Sequence, residues 1–256
     1  MERLRDFLEQ AVLRYNTVAF IENDPISVPH RFARLQDREI AGFWAAVLAW
    51  GQRKTIIQSA LRAMALMDWA PYEFVRNHSE PERARFACFY HRTFQPTDAL
   101  YFLEFFQNYY RQYDSLETAF AQHLQPTDDT VAPALIGFHR LFFNHPWAPE
   151  RTRKHIPTPE RGSTCKRLNM FLRWMVRRDA AGVDFGLWRQ IRPAQLLLPL
   201  DVHVDRVARR LGLLSRRQTD WKAVLELTEA LRAFDPEDPA KYDFALFGLS
   251  MGLDAE

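Results

Sequence analysis

The segment Pro199-Leu200-Asp201-Val202-His203-Val204-Asp205-Arg206-Val207-Ala208-Arg209-Arg210-Leu211 opens on a proline and an acidic residue. It then sets Val204, Val207, Ala208 and Leu211 at i, i+3, i+4 and i+7, the spacing of one apolar helix face. Asp201 therefore stands at the N-terminal end of a helix, where backbone N–H groups aim a carboxylate. An electrostatic catalyst for developing positive charge requires that placement, and an ordinary N-cap occupies it as well. His203 and Asp205 could be read with Asp201 as metal ligands, but alternate positions do not share a helix face, so no metal is predicted. Asp205 and Arg209 form an i,i+4 ion pair in this reading, and His203 packs near the capping turn. An HD-type phosphohydrolase is excluded, because no histidine is followed directly by aspartate.

The cations are unusual in kind. Of 34 Lys and Arg residues only Lys54, Lys154, Lys166, Lys222 and Lys241 are lysines, leaving 29 arginines. Arginine binds phosphate bidentately and stacks on rings; a GC-rich genome would give the same bias. Lys166, beside Arg167 and after Gly162-Ser163-Thr164, starts a helix and suits a phosphate contact. The run Arg151, Arg153, Lys154, His155, Arg161, Lys166, Arg167 and the later cluster Arg206, Arg209, Arg210, Arg216, Arg217 flank Asp201 in sequence. They read either as a track for a nucleic-acid backbone or as a solvated basic face. The net charge of +2 argues for neither.

These residues need elements to hold them. The chain has 256 residues, 47% hydrophobic and 26% charged, with 20 Phe, 8 Tyr and 7 Trp, the balance of a globular protein with ample core. Nine glycines are about half of what average usage gives, so a fold built on many tight turns is disfavoured and an all-α fold preferred. Cys88 and Cys165 alone exclude a four-cysteine zinc site, a four-cysteine iron–sulfur cluster and a disulfide scaffold. The charged start MERLRDFLEQ is unlike a signal peptide and no stretch is apolar enough to span a membrane, so a cytoplasmic protein is expected.

Proline-containing breaks divide the chain into about ten helices. The first covers about 2–20. Asp37 is expected to cap the next, and a bend at Trp50-Gly51-Gln52 leads into a third. Residues 71–94 are mixed. Helices follow near 100–113, 115–124 and 130–144, then at CKRLNMFLRWMVRR, at the Asp201 segment, and near 219–233 and 239–252. No strand shows period-two alternation. The Pro- and Arg-rich stretch 145–164 reads as an ordered basic loop or lid and is the candidate boundary between two lobes of a single helical unit spanning residues 1–256.

Pro-x-Asp-x-His at a helix start resembles the catalytic segment of the helix-hairpin-helix DNA glycosylases. The bend at Ala49-Trp50-Gly51-Gln52 and the closing YDFALFGLSMG resemble parts of that superfamily too, and nearly the whole chain resembles a bacterial family of uncharacterised proteins. The resemblance implies two helical lobes around a cleft, duplex DNA with a damaged base as partner, and no cofactor. It implies that Asp201 stabilises the sugar cation as the N-glycosidic bond breaks, and that Lys166 is the lysine that attacks the anomeric carbon to form a Schiff base, as in bifunctional members. The usual Leu-Pro-Gly-x-Gly hairpin is absent and Lys166 precedes Asp201 by 35 residues; archaeal 8-oxoguanine glycosylases also have a longer interval and an altered hairpin. Trp50, Gln52, Trp147, Trp174 and Phe138 are candidates for a base pocket. Asp243 falls where the archaeal relatives place a base-recognising acid, or is a helix-surface charge. The backbone contacts would come from Arg151, Arg153, Lys154, Arg161 and Arg167. A DNA-repair glycosylase, with or without lyase activity, is the leading expectation. A non-catalytic nucleic-acid-binding protein and a small-molecule nucleoside hydrolase are the alternatives.

Overall fold

A computed structural model describes residues 2–253. Among them the chain forms thirteen α-helices and no strand, its one β-bridge joining His91 to Phe94. In chain order the helices are α1 (Glu2–Tyr15), α2 (Ala19–Glu22), α3 (Leu35–Val47), α4 (Arg53–Leu66), α5 (Pro71–Asn77), α6 (Glu80–Ala84), α7 (Pro96–Tyr110), α8 (Glu117–Ala121), α9 (Ala132–Phe142), α10 (Lys166–Val176), α11 (Val202–Arg210), α12 (Trp221–Arg232) and α13 (Tyr242–Leu253). The ten predicted helices are all present, although the first ends at Tyr15 rather than near residue 20, and α2 begins within its expected span. The three additional ones, α2, α5 and α6, have four, seven and five residues. Among the described residues no helix is long and apolar enough to cross a membrane.

The chain divides into two compact units. The first comprises residues 1–21, 124–136 and 158–256; the second comprises 22–123 and 137–157.

In the second unit most of the phenylalanines close into one core. Phe43 of α3 meets Phe102 and Phe106 of α7 and Phe138 of α9, while Trp44 meets Phe86, Phe89, Phe94 and Phe102. Such ring pairs contribute about 0.5–1.5 kcal/mol each beyond their burial. Asp37 does not cap α3. The helix begins at Leu35, and Asp37 in its first turn accepts the Tyr72 N–H at 2.8 Å, satisfying the start of α5. Gly51 carries the expected bend. Its φ of +96° favours glycine, while the Arg92 guanidinium, 2.8 Å from where a Cβ would stand, is the end of a flexible side chain.

The first unit builds α13 into its centre, packed on α1 and on α11. Phe244 is fully buried, with Phe20 against its ring. Helix α10 runs through the same core, with Leu168, Phe171, Trp174 and Met175 completely buried.

Candidate functional site

Asp201 is the N-cap of α11. Its Oδ1 accepts the N–H groups of His203 and Val204, both at 3.0 Å, so the Asp-x-His order leaves Oδ2 for other partners. That oxygen lies 3.6 Å from Lys166 Nζ. The separation is just beyond a hydrogen bond, and the two side chains keep 22% and 24% of their surface exposed, Asp201 and Lys166 respectively. Both groups are accessible to a ligand.

Lys166 owes its position to a specific entry turn. Cys165 before it adopts the left-handed conformation, φ 49° and ψ 29°, which costs a residue with a Cβ about 1–2 kcal/mol. Ser163 Oγ accepts the Cys165 N–H, while buried Asn169 donates its side-chain amide to Thr164 O and its backbone N–H to Cys165 O. The turn is thus braced from both sides, and Lys166 occupies the first position of α10. Burial pushes the Cys165 thiol up to about 12, so it stays protonated and packs as an apolar group.

Beneath this pair lies a buried ionic network absent from the sequence reading. Arg173 of α10 holds Asp243 of α13 through Nη1 and Asp184 through Nε. Four residues on, Arg177 holds Asp184 at 3.2 Å, Asp179 at 2.6 Å and Asp238 at 2.9 Å. Both guanidinium groups lie over the Phe244 ring side, Arg173 at 4.2 Å from its centroid. Burial drives the Asp243 and Asp238 carboxyls up to about 6 each, against the pull of Arg173 on the one and Arg177 on the other. Asp201 and Lys166 also act on Asp243 electrostatically, the first raising and the second lowering it. Asp243 thus lies within the electrostatic reach of both Lys166 and Asp201, while its direct partner is Arg173. Asp243 is only 6% exposed, which rules out the helix-surface charge that the sequence left open.

The other predicted residues divide differently. Trp174 and Phe138 are completely buried and neither can line an open base pocket; Trp174 belongs to the α10 core, and Phe138 stacks on Phe120 at 4.0 Å. Their periodicity was that of core positions. Trp50, half-buried in the second unit, has His155 stacked at 5.7 Å and His91 edge-on at 4.7 Å. Gln52 is exposed at the N-cap of α4, and Trp147 is 76% exposed.

Among the predicted backbone contacts, Arg151 is committed elsewhere. It donates to the fully buried carboxylate of Asp98 and to Thr93 O, an internal clasp that corrects its assignment as a phosphate contact. Arg153 bonds Glu150 at 2.8 Å and lies over the Phe143 ring. Arg167 is only partly exposed, and burial lowers it to about 10. Lys154 and Arg161 are exposed. Asp205 and Arg209 form the expected i,i+4 pair at 2.7 Å.

The chain belongs to the family described as "Protein of unknown function (DUF2400)", whose model matches residues 24–252. No curated protein and no solved structure matches it.

Proposed function

We propose that this protein is a DNA glycosylase with lyase activity, and that Lys166 and Asp201 are its catalytic pair. One observation carries the reading. Two residues 35 positions apart, each opening a helix, bring an amine and a carboxylate to 3.6 Å of one another with both still accessible. Reacting groups that share one centre must converge in this way.

In the reaction an extruded damaged nucleotide would present its C1′ to the pair. The bond between C1′ and the base nitrogen lengthens, and positive charge develops on the sugar. Asp201 Oδ2 faces that charge, while its Oδ1 stays anchored by the His203 and Val204 N–H groups, so the carboxylate needs no reorganisation as charge appears. The Lys166 amine then forms a bond to C1′ as the base departs with the electron pair of the broken bond. Ring opening gives a protonated imine, and loss of the C2′ proton expels the 3′ phosphate. The nucleophile is a neutral amine.

Base release and strand cleavage on duplexes carrying single lesions test the reading, together with borohydride trapping on a duplex with one abasic site. Wild-type protein should form a covalent adduct that Lys166→Gln does not. No adduct and no base release from any lesion would reject the proposal.

A further inference from the structure

We propose that the second unit carries a binding site for an adenine base, outside the unit that holds the Lys166–Asp201 pair and independent of the reading above. The stretch Glu104-Phe105-Phe106-Gln107-Asn108-Tyr109-Tyr110-Arg111-Gln112-Tyr113 repeats a polar residue followed by an aromatic one at every fourth position, as Glu104-Phe105, Asn108-Tyr109 and Gln112-Tyr113. A four-residue step brings successive side chains to neighbouring places on one helix face. The Tyr113 N–H still donates to Tyr109 O at 3.0 Å, which carries this step past the end of α7. The helix therefore presents a row of rings beside a row of polar groups.

The rings are stacked. Phe105 lies on Tyr109 at 5.8 Å with their planes 19° apart, and Tyr109 on Tyr113 at 4.8 Å and 20°. Both rows line a cavity of about 340 Å³, within the size range of small-molecule sites. Phe142 at the end of α9, with Asn144 and His145 after it, lines the same cavity. The Tyr109 hydroxyl is already spent on Ser115 O at 3.0 Å, so that residue offers its ring alone. The side-chain amides of Asn108 and Asn144 have no partner among the described residues; Asn108 is half-buried and Asn144 exposed.

The charges around the cavity decide the class of ligand. Glu104 is its one carboxylate, and that group meets Arg83 at 3.1 Å and stands 3.5 Å from His145 Nε2. Its charge is matched within the protein, so a cationic ligand is not selected. No lysine or arginine among the described residues lines the cavity, so an anion finds no counter-charge there. A neutral planar molecule with hydrogen-bonding edges fits what remains, since rings take up its plane and a carboxamide sets an acceptor beside a donor. That pair matches the N6 amino group and N7 of adenine, whereas guanine presents two acceptors, N7 and O6, along the same edge. Asn108 supplies the pair, because it stands half-buried in the middle of the polar row. Free adenosine and an adenine in a single strand share this chemistry.

The test is isothermal titration of the full chain at neutral pH with adenosine, inosine, choline and a short oligodeoxyadenylate. Adenosine should bind one to a chain and about fivefold or more tightly than inosine, which carries an oxygen in place of the N6 amino group, as a bidentate pair discriminates. Asn108→Leu should abolish that preference. Tyr113→Ala, which removes a ring 38% exposed, should weaken adenosine by about fivefold or more, and Lys166→Gln should bind adenosine as wild type does. Weaker binding of the oligodeoxyadenylate by Asn108→Leu identifies a strand as the source of the base; adenosine weakened without it identifies the free nucleoside, and either result supports the site. Adenosine that does not bind, that binds no better than inosine or choline, or that keeps its affinity in both Asn108→Leu and Tyr113→Ala overturns the inference. Loss of adenosine binding in Lys166→Gln overturns it too, by placing the base at the other site. If Asn108→Leu does not fold, Tyr113→Ala and the adenosine-to-inosine ratio of wild type decide.

Discussion

Replacing Asp98 by Asn should weaken the second unit in a way that depends on pH. Asp98 is fully buried at the start of α7. Its Oδ2 accepts the Gln95 N–H at 2.8 Å and the Arg151 guanidinium and lies 3.3 Å from His155 Nε2, while its Oδ1 accepts the Thr152 hydroxyl at 2.7 Å. Burial alone would raise this carboxyl, but the donors from His155, Thr152 and Gln95 outweigh it and hold it at about 2 against an ordinary 3.8. The folded value lies below the unfolded one, so the stabilisation is complete well above pH 4 and is lost as the pH falls through 2. From those two values, linkage gives roughly 2 kcal/mol at pH 7, roughly half of that at pH 3 and little at pH 2. The check is hydrogen exchange across residues 95–103 and 150–156 in both proteins at these pH values, converted to local opening free energies. The gap between wild type and Asp98→Asn should be largest at neutral pH and shrink by about half at pH 3. A gap that ignores pH, or one below about 1 kcal/mol at neutral pH, would refute the assignment of Asp98 as the charged anchor of this clasp.

Asp201→Asn should slow base release by about 10²–10³-fold, the usual cost of removing one preorganised electrostatic group, while duplex binding measured by anisotropy stays within a fewfold of wild type. Arg161→Gln should make the log–log salt dependence of duplex binding shallower by about 0.9, the share of one phosphate contact, whereas Arg151→Gln should leave the slope unchanged and lower stability. Gly137→Ala should destabilise the second unit by about 1–3 kcal/mol in a urea titration, because its Cβ would stand 2.0 Å from His123 Cγ, an atom next to the backbone that cannot swing away.

The long helices were legible in the sequence because each carries its own apolar period. The α11 segment is the clearest: four apolar residues in register and an Asp at the cap fix both its face and its start, and Asp201 accepts the expected backbone N–H groups. Short helices have no such period. Helices α5 and α6 hold seven and five residues, each with a proline in its first turn, too few for a repeat to declare itself. Asp37 shows another limit, since its position before an apolar run suits a cap, yet its partner is the Tyr72 N–H, 35 residues away. Likewise, nothing local to Arg151 distinguishes a residue that binds phosphate from one that binds Asp98, 53 positions earlier.

Within the site, a local signal was present for one layer and overlooked. Arg173 and Arg177 stand at i and i+4 in a stretch where Leu168, Met170, Phe171, Leu172, Trp174, Met175 and Val176 are all buried. A helix buried on every side has no solvated face for a guanidinium, so two arginines there demand carboxylates from elsewhere in the chain. The acidic residues of RRDAAGVD and FDPEDPAKYD supply them as Asp179, Asp184, Asp238 and Asp243. Which acid meets which arginine depends on the tertiary packing of α13 and cannot be read from spacing. This distinction changes how Asp243 must be understood. An acid placed by Arg173 is held in one position before any ligand arrives, with its carboxyl raised by burial toward neutrality and electrostatically linked to both Lys166 and Asp201. A surface acid at the same place in α13 would share the sequence position but not these properties, so the buried arginine gives position 243 its chemistry.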